Sequence, residues 1–245
     1  KELYDLKLNI KIFYSGSSQM EIRSKIKEYG VGRIRECVIE RLSFEEYLAF
    51  THPTTRKDAL AEYLIYGSYP EVAKTRAATE KKLLIKDIYQ TYLTKDIVDF
   101  LKITNTDGFN KLLGLLAHQI SGLLSLDTLS KNAGITRREA EMFLIALEQT
   151  FIIKRIYPFF KSYKKEITKT PKVYFLDLGL RNFIINNFSK DETRSDMGAL
   201  FENFYLLQLL SSDPYRLQKL NFWRTTNQTE IDFIVTNGEA LSAIE

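Results

Sequence analysis

One cysteine and two histidines are all that this 245-residue chain offers to soft-metal or thiol chemistry. Cys37 alone cannot close an internal disulfide framework, and a single cysteine suits a reducing compartment, where it packs as a small apolar residue. His52 and His118 are too few for a His-rich zinc site and badly spaced to act as a base beside a nucleophile, which removes most zinc and triad enzymes. No stretch approaches the ~20 uninterrupted apolar residues of a membrane helix, and no basic, apolar, small-residue succession opens the chain as a signal peptide would. The expectation is a cytoplasmic protein without a membrane partner. An excess of one charge is missing too: 35 Lys and Arg stand against 31 Asp and Glu, a net charge of +4. Any nucleic-acid affinity therefore has to come from local clustering.

What the chain does have is a hydrophobic content of 44%, enough to bury real cores in one large domain or two to three small ones. Asn9 to Tyr14 alternates like a strand and breaks at Ser15-Gly-Ser-Ser18, and Glu36 to Glu40 is a second short strand candidate. Ser43-Phe-Glu-Glu46 has the form of a capping box that opens a helix. Strand, loop, strand, helix is the pattern of the end of an α/β domain. From Thr51 to about Leu101 apolar residues recur at three and four, as in Leu84, Ile88 and Tyr92, with Tyr66-Gly-Ser-Tyr-Pro-Glu71 as a turn. The chain begins at Lys1 and stops at Glu245 within a strand-like run, so both ends are expected to be cuts in a longer protein.

Residues 109 to 160 are organised more specifically. A helix from Phe109 to Leu124 precedes a short one that ends at Gly134. Thr136-Arg-Arg-Glu139 then forms a second capping box, and Phe151 to Tyr157 alternates into a strand. Helix, glycine turn, helix and strand pair make the winged helix-turn-helix pattern. Between Phe151 and Lys172 seven Lys and Arg face one acid. Such a basic wing, with Arg137, Arg138, Lys154 and Arg155 near it, suits DNA phosphate contacts. The same charges can also be merely solvated, and winged helices often bind protein.

The most informative residues are three acids: Glu202 in Gly198-Ala-Leu-Phe-Glu-Asn203, Asp232 in Glu230-Ile-Asp-Phe-Ile-Val235, and Glu245. A helix from Gly198 to Leu210 sets Glu202 on an apolar stripe with Leu206 and Leu209, where an acid needs a partner. Asn237-Gly238 is a strong hairpin signal, and a two-residue loop there sets Asp232 across from Ala243 and Glu230 across from Glu245. Strict alternation leaves these four on one face and Ile231, Phe233 and Val235 on the other. Asp232 and Glu245 are then diagonal neighbours able to share a cation. The alternatives are a surface acid pair on an edge sheet, or partners for Arg224. Asp177 reads as a helix N-cap.

In this order, Tyr14-Ser-Gly-Ser-Ser18, Gly32-Arg33, Leu42 to Glu46, Tyr66 to Glu71, Leu147 to Ile153, Pro171 to Leu180, Gly198 to Asn203, Trp223-Arg224 and Glu230 to Val235 resemble a family of prokaryotic AAA+ ATPases. Members carry a winged helix and a C-terminal domain of unknown function related to PD-(D/E)XK nucleases. The resemblance implies a multi-module α/β protein: residues 1–50 as the end of an ATPase core, 51–105 as a helical lid, 106–172 as a winged helix and 173–245 as a nuclease-like domain. It implies ATP and Mg²⁺ as cofactors of the intact protein, DNA as a partner and assembly into a homo-oligomer. No Gly-x-x-x-x-Gly-Lys-Ser/Thr occurs, so the Walker motifs are expected upstream of Lys1. Ser17 takes the place of the polar sensor near the γ-phosphate, and Arg33 that of a phosphate-reaching arginine. The same resemblance makes Glu202, Asp232 and Glu245 catalytic ligands of a Mg²⁺ that orients water at a phosphodiester. The competing expectation is a non-catalytic, ATP-switched protein-interaction module whose winged helix is structural.

Overall fold

A computed structural model describes residues 39–91, 103–160, 166, 169–190, 194–225, 227 and 229–245. Ser17, Arg33, the strand candidate at Asn9 to Tyr14 and most of that at Glu36 to Glu40 lie outside the described residues. Among the described residues the chain is α/β, with nine helices and one five-stranded mixed sheet. Four helices come first: α1 (Phe44–Thr51), α2 (Arg56–Tyr66), α3 (Pro70–Lys74) and α4 (Ala78–Tyr89). The next group is α5 (Thr106–His118), α6 (Leu126–Ala133), α7 (Arg137–Gln149), β1 (Ile153–Pro158) and β2 (Lys172–Phe175). The last is α8 (Leu178–Ile184), α9 (Met197–Ser212), β3 (Lys219–Arg224), β4 (Glu230–Asn237) and β5 (Ala240–Ile244).

The helix starts follow from local chemistry. Ser43 and Glu46 form both halves of a capping box, as do Thr136 and Glu139, so each satisfies amide groups that the first helical turn leaves without partners. Gly134 ends α6 in the left-handed region at φ 69°, a conformation that glycine adopts without steric penalty. Helix α5 stops at His118, six residues before the expected Leu124. Its continuation turns at Ser121, whose φ is 60°, and Leu123 instead bridges Lys172 of β2.

The sheet runs β2-β1-β3-β4-β5. Strand β1 pairs antiparallel with β2 through Ile153 to Ile156, then parallel with β3 through Tyr157 and Pro158. The expected boundary between 172 and 173 thus falls inside β2, in a sheet that joins both groups of strands. Side chains of β2 alternate between two cores: Val173 and Phe175 join the helices α5 to α8, whereas Tyr174 packs with Phe222, Phe233, Leu206 and Leu210 under α9.

Two glycines allow the turn after α2 to lie against the start of α8. Gly67 has φ 76°, and a Cβ there would overlap the Asp177 carboxylate. At Gly179 a Cβ would overlap the Tyr66 carbonyl group. Asp177 is fully buried and accepts from Leu180 N at 2.8 Å, as an N-cap, and from Ser68 N at 2.9 Å across the contact. Burial pushes its carboxyl up, and the Arg41 charge with three backbone amides offsets only part of that. Asn182 completes the junction by donating to the carbonyls of Leu64 and Ile65, each at 2.9 Å.

Gly179→Ala is therefore expected to destabilise the fold by about 1–3 kcal/mol, because what the added methyl meets is backbone that cannot swing aside. Chemical denaturation checks this, and an unchanged midpoint would contradict it.

Candidate functional site

The five side chains that converge under α9 are Lys172 and Tyr174 from β2, Glu202 from α9, and Glu230 and Asp232 from β4. The Lys172 ammonium donates to Glu202 Oε1 at 2.7 Å, pairs with Glu230, and reaches Asp232 Oδ1 at 3.4 Å. It also lies over the Phe222 ring, 5.6 Å from its centroid. Tyr174 donates its hydroxyl to the same Glu202 oxygen at 2.6 Å. Arg224, on the strand next to Glu230, pairs with that acid at 2.9 Å. The Lys172 side chain is 4% exposed, against 17% for Glu202, 22% for Glu230 and 35% for Asp232, so the cluster is closed at the lysine and most open at Asp232.

A β-bulge makes this convergence possible and corrects the strict alternation expected of β4. Asn221 stands opposite Ile234, but Trp223 stands opposite Ile231 and Arg224 opposite Glu230. Phe222 alone therefore faces both Asp232 and Phe233. The extra residue re-aims the strand, so Glu230 turns to the side of Phe233 instead of away from it. The hairpin differs as well. Its loop is Gly238 and Glu239, with Asn237 paired to Ala240, so Ala243 faces Ile234 rather than Asp232. Positive φ falls on Gly238 at 60°, the residue that tolerates it. Glu245 stands one step past the last rung of the β4–β5 ladder, level with Asp232, and is exposed.

Burial and charge shift three groups of the cluster in the same direction. Burial pushes the Glu202 carboxyl above the usual range, and the hydrogen bonds from Lys172 and Tyr174 offset only part of this. Burial by itself would lower the Lys172 ammonium, but hydrogen bonds to Glu202 and Glu230 outweigh it and raise the group. Burial and then the Glu202 charge push the Tyr174 phenol up, leaving it a firm donor. Burial is thus the main cause of the rise at Glu202 and at Tyr174, whereas the neighbouring acids hold the proton on Lys172.

A Mg²⁺ ion takes near-octahedral oxygen ligands at about 2.1 Å. The residues here do not fit that demand, because the Glu202 oxygen already serves Lys172 and Tyr174, and the ammonium sits where the acids meet. Among the described residues no group of three or more His, Cys, Asp or Glu is placed to hold a metal ion. The expected trio is thus divided: Glu202 and Asp232 share a lysine, while Glu245 stays exposed at the rim. Sequence reasoning missed Lys172 and Tyr174. Lys172 was counted in the basic wing, although a lone charge opening the apolar run Val173-Tyr-Phe-Leu176 was the available signal.

The expected nucleic-acid residues are scattered in role. Arg137 pairs with Asp127, both well exposed. Arg155, only 9% exposed, is bound to Glu141 at 3.0 Å and to Glu148 at 2.7 Å. Arg138 and Lys154 are exposed. The outer stripe of α7 also carries Met142 and Ile145, 44% and 41% exposed.

A family model described as Domain of unknown function (DUF8612) matches residues 57–191, more than half of the chain. The chain belongs to the DUF8612 family. Beyond the DUF8612 match, residues 197–245 match a second model, Domain of unknown function (DUF4143). Lys172 and Tyr174 fall in the DUF8612 span and Glu202, Glu230 and Asp232 in the DUF4143 span, so the cluster is an ionic contact between the two matched regions, as is the pair of Lys219 with Glu166 at 2.7 Å. Proteins named only as uncharacterized, from Mycobacterium bovis and Mycobacterium tuberculosis, are each 24% identical to the chain over 210 residues. The match covers 84% of this chain and 46% of theirs, so the DUF8612 chain spans less than half the length of these relatives. No solved structure matches it.

Glu202 is expected to titrate above ordinary carboxylates. Because the folded state binds that proton more tightly, stability attributable to Glu202 falls as pH rises from the ordinary carboxylate value through its own. Carbon NMR of labelled glutamate checks this, with Glu202→Gln assigning the resonance; a midpoint at or below about 4.3 would contradict it.

Proposed function

We propose that this chain is the C-terminal arm of an ATP-driven protein, and that the arm works by docking protein rather than by cutting nucleic acid. The observation that carries the reading is the outward face of α7. A helix that reads DNA needs polar and basic side chains free to meet bases and phosphates. Here the exposed stripe is Arg138, Met142, Ile145 and Gln149, and two of the four expected basic contacts, Arg137 and Arg155, are already in ion pairs. Exposed methionine and isoleucine suit an apolar protein surface. The filled acid cluster supports the same reading, since an ammonium held by three carboxylates leaves no open position for metal-assisted hydrolysis.

The ATP-driven part rests on the resemblance to AAA+ proteins and is compatible with mycobacterial relatives more than twice as long as the stretch they share with this chain. ATP binding there would change the arm's orientation or exposure, and the DUF8612 and DUF4143 regions would transmit it through the contact at Lys172. The rival reading, DNA binding, draws on exposed Arg138 and Lys154 and on the net charge of +6 between Phe151 and Lys172.

A photo-crosslinking residue in place of Met142 in the intact protein separates the two. The expected adducts are destroyed by protease and untouched by nuclease; nuclease-sensitive adducts would overturn the docking reading. DNA affinity gives a second check. Four phosphate contacts by Arg137, Arg138, Lys154 and Arg155 would make log K fall by about 3.6 per decade of salt. The expected slope is close to zero and unchanged in the Arg138→Ala, Lys154→Ala double variant. Cleavage of DNA with Mg²⁺ or Mn²⁺, lost in Asp232→Ala, would restore the nuclease reading.

A further inference from the structure

We propose that the Lys172 ammonium is the resident cation of the acid cluster, standing in the place where a nuclease-like domain would hold a divalent metal, so that this site is complete without one. The inference stands whatever α7 binds.

The ammonium contacts carboxylates from α9, from the β4 bulge at Asp232 and from Glu230 just before it, and it lies over the Phe222 ring, whose π face favours a cation. An ammonium has three protons to donate, and three acids surround it, so its donor capacity is fully used. Tyr174 supplies a further proton to Glu202, and Arg224 takes the second oxygen of Glu230. Hydrogen bonds therefore meet Glu202 and Glu230 without any added ion.

Lys172 projects from β2, in a different matched region from the acids, and its side chain is 4% exposed. A lysine that merely screened acids from solvent would lie at the open rim beside Asp232; this one fills the closed end. A divalent ion could enter only if the ammonium left, and Lys172 would then lose all three acids. Buried charges that lose their partners are strongly penalised, so the lysine and a metal are alternatives at this point rather than companions.

The test uses the full chain. Titration with Mn²⁺ followed by electron paramagnetic resonance is expected to leave the ion free, and millimolar Mg²⁺ is expected to leave Tm unchanged. Lys172→Met, which keeps the length and removes the charge, is expected to lower Tm on the order of 10 °C by leaving three carboxylates facing one another. Mg²⁺ should then restore part of the loss by binding the folded state. Stoichiometric Mn²⁺ binding by the unaltered chain that disappears in Asp232→Asn overturns the proposal. A Lys172→Met chain with an unchanged Tm, or one that folds but does not respond to Mg²⁺, overturns it as well. If Lys172→Met does not fold, the titration of the unaltered chain decides. None of these outcomes bears on what crosslinks to position 142, so the docking reading fails or survives separately.

Discussion

A buried ammonium, that of Lys172, ties the edge of the helical half to the sheet of the C-terminal half. Its three carboxylate partners come from α9 and β4, so removing the charge frees two elements at once. Breaking a buried pair typically costs about 3–5 kcal/mol, against a total of about 5–15 for a whole domain. Exposed pairs such as Arg137–Asp127 contribute about 0–1 kcal/mol each. The comparison sets Lys172, the more deeply buried of the two cations that cross the junction, above the surface bridges; the other, Lys219 on Glu166, is half exposed.

Packing sets up that contact. β2 sends Val173 and Phe175 into the core of α5 to α8 and Tyr174 into the core under α9, so one short strand belongs to both halves. Gly67 and Gly179 allow α2 to touch the start of α8, and Asp177 caps the helix that follows β2 directly. The same segment, Lys172 to Leu180, therefore supplies the sheet edge, the shared cation and the helix junction. Coupling between the two matched regions has a physical path through it.

Much of this was legible from residue order alone. The capping boxes at Ser43 and Thr136, the Asp177 cap, the helix bearing Glu202 and the strand bearing Asp232 are local patterns, and local hydrogen bonding decides them. The hairpin was located, but its loop lies one residue later. Asn237-Gly238 signals a turn without saying which of its residues is central, and the register moved by two while the faces stayed the same. The bulge was not legible, because it depends on how β3 and β4 settle around Phe222. Nor was Lys172 in its true role: counting charges treats a paired, buried lysine and a solvated one alike. The arginines fell to the same limit, since Arg155 meets Glu141 and Glu148 only once α7 and β1 are packed together.

The most direct measurement is a crystal of the full chain soaked in Mn²⁺, with anomalous scattering recorded at the cluster. The expected map has no anomalous peak between Glu202 and Asp232, and density for the Lys172 ammonium within hydrogen-bonding distance of Glu202. A Mn²⁺ peak bound by Glu202 and Asp232, with the lysine swung away, would contradict the cluster's independence of metal.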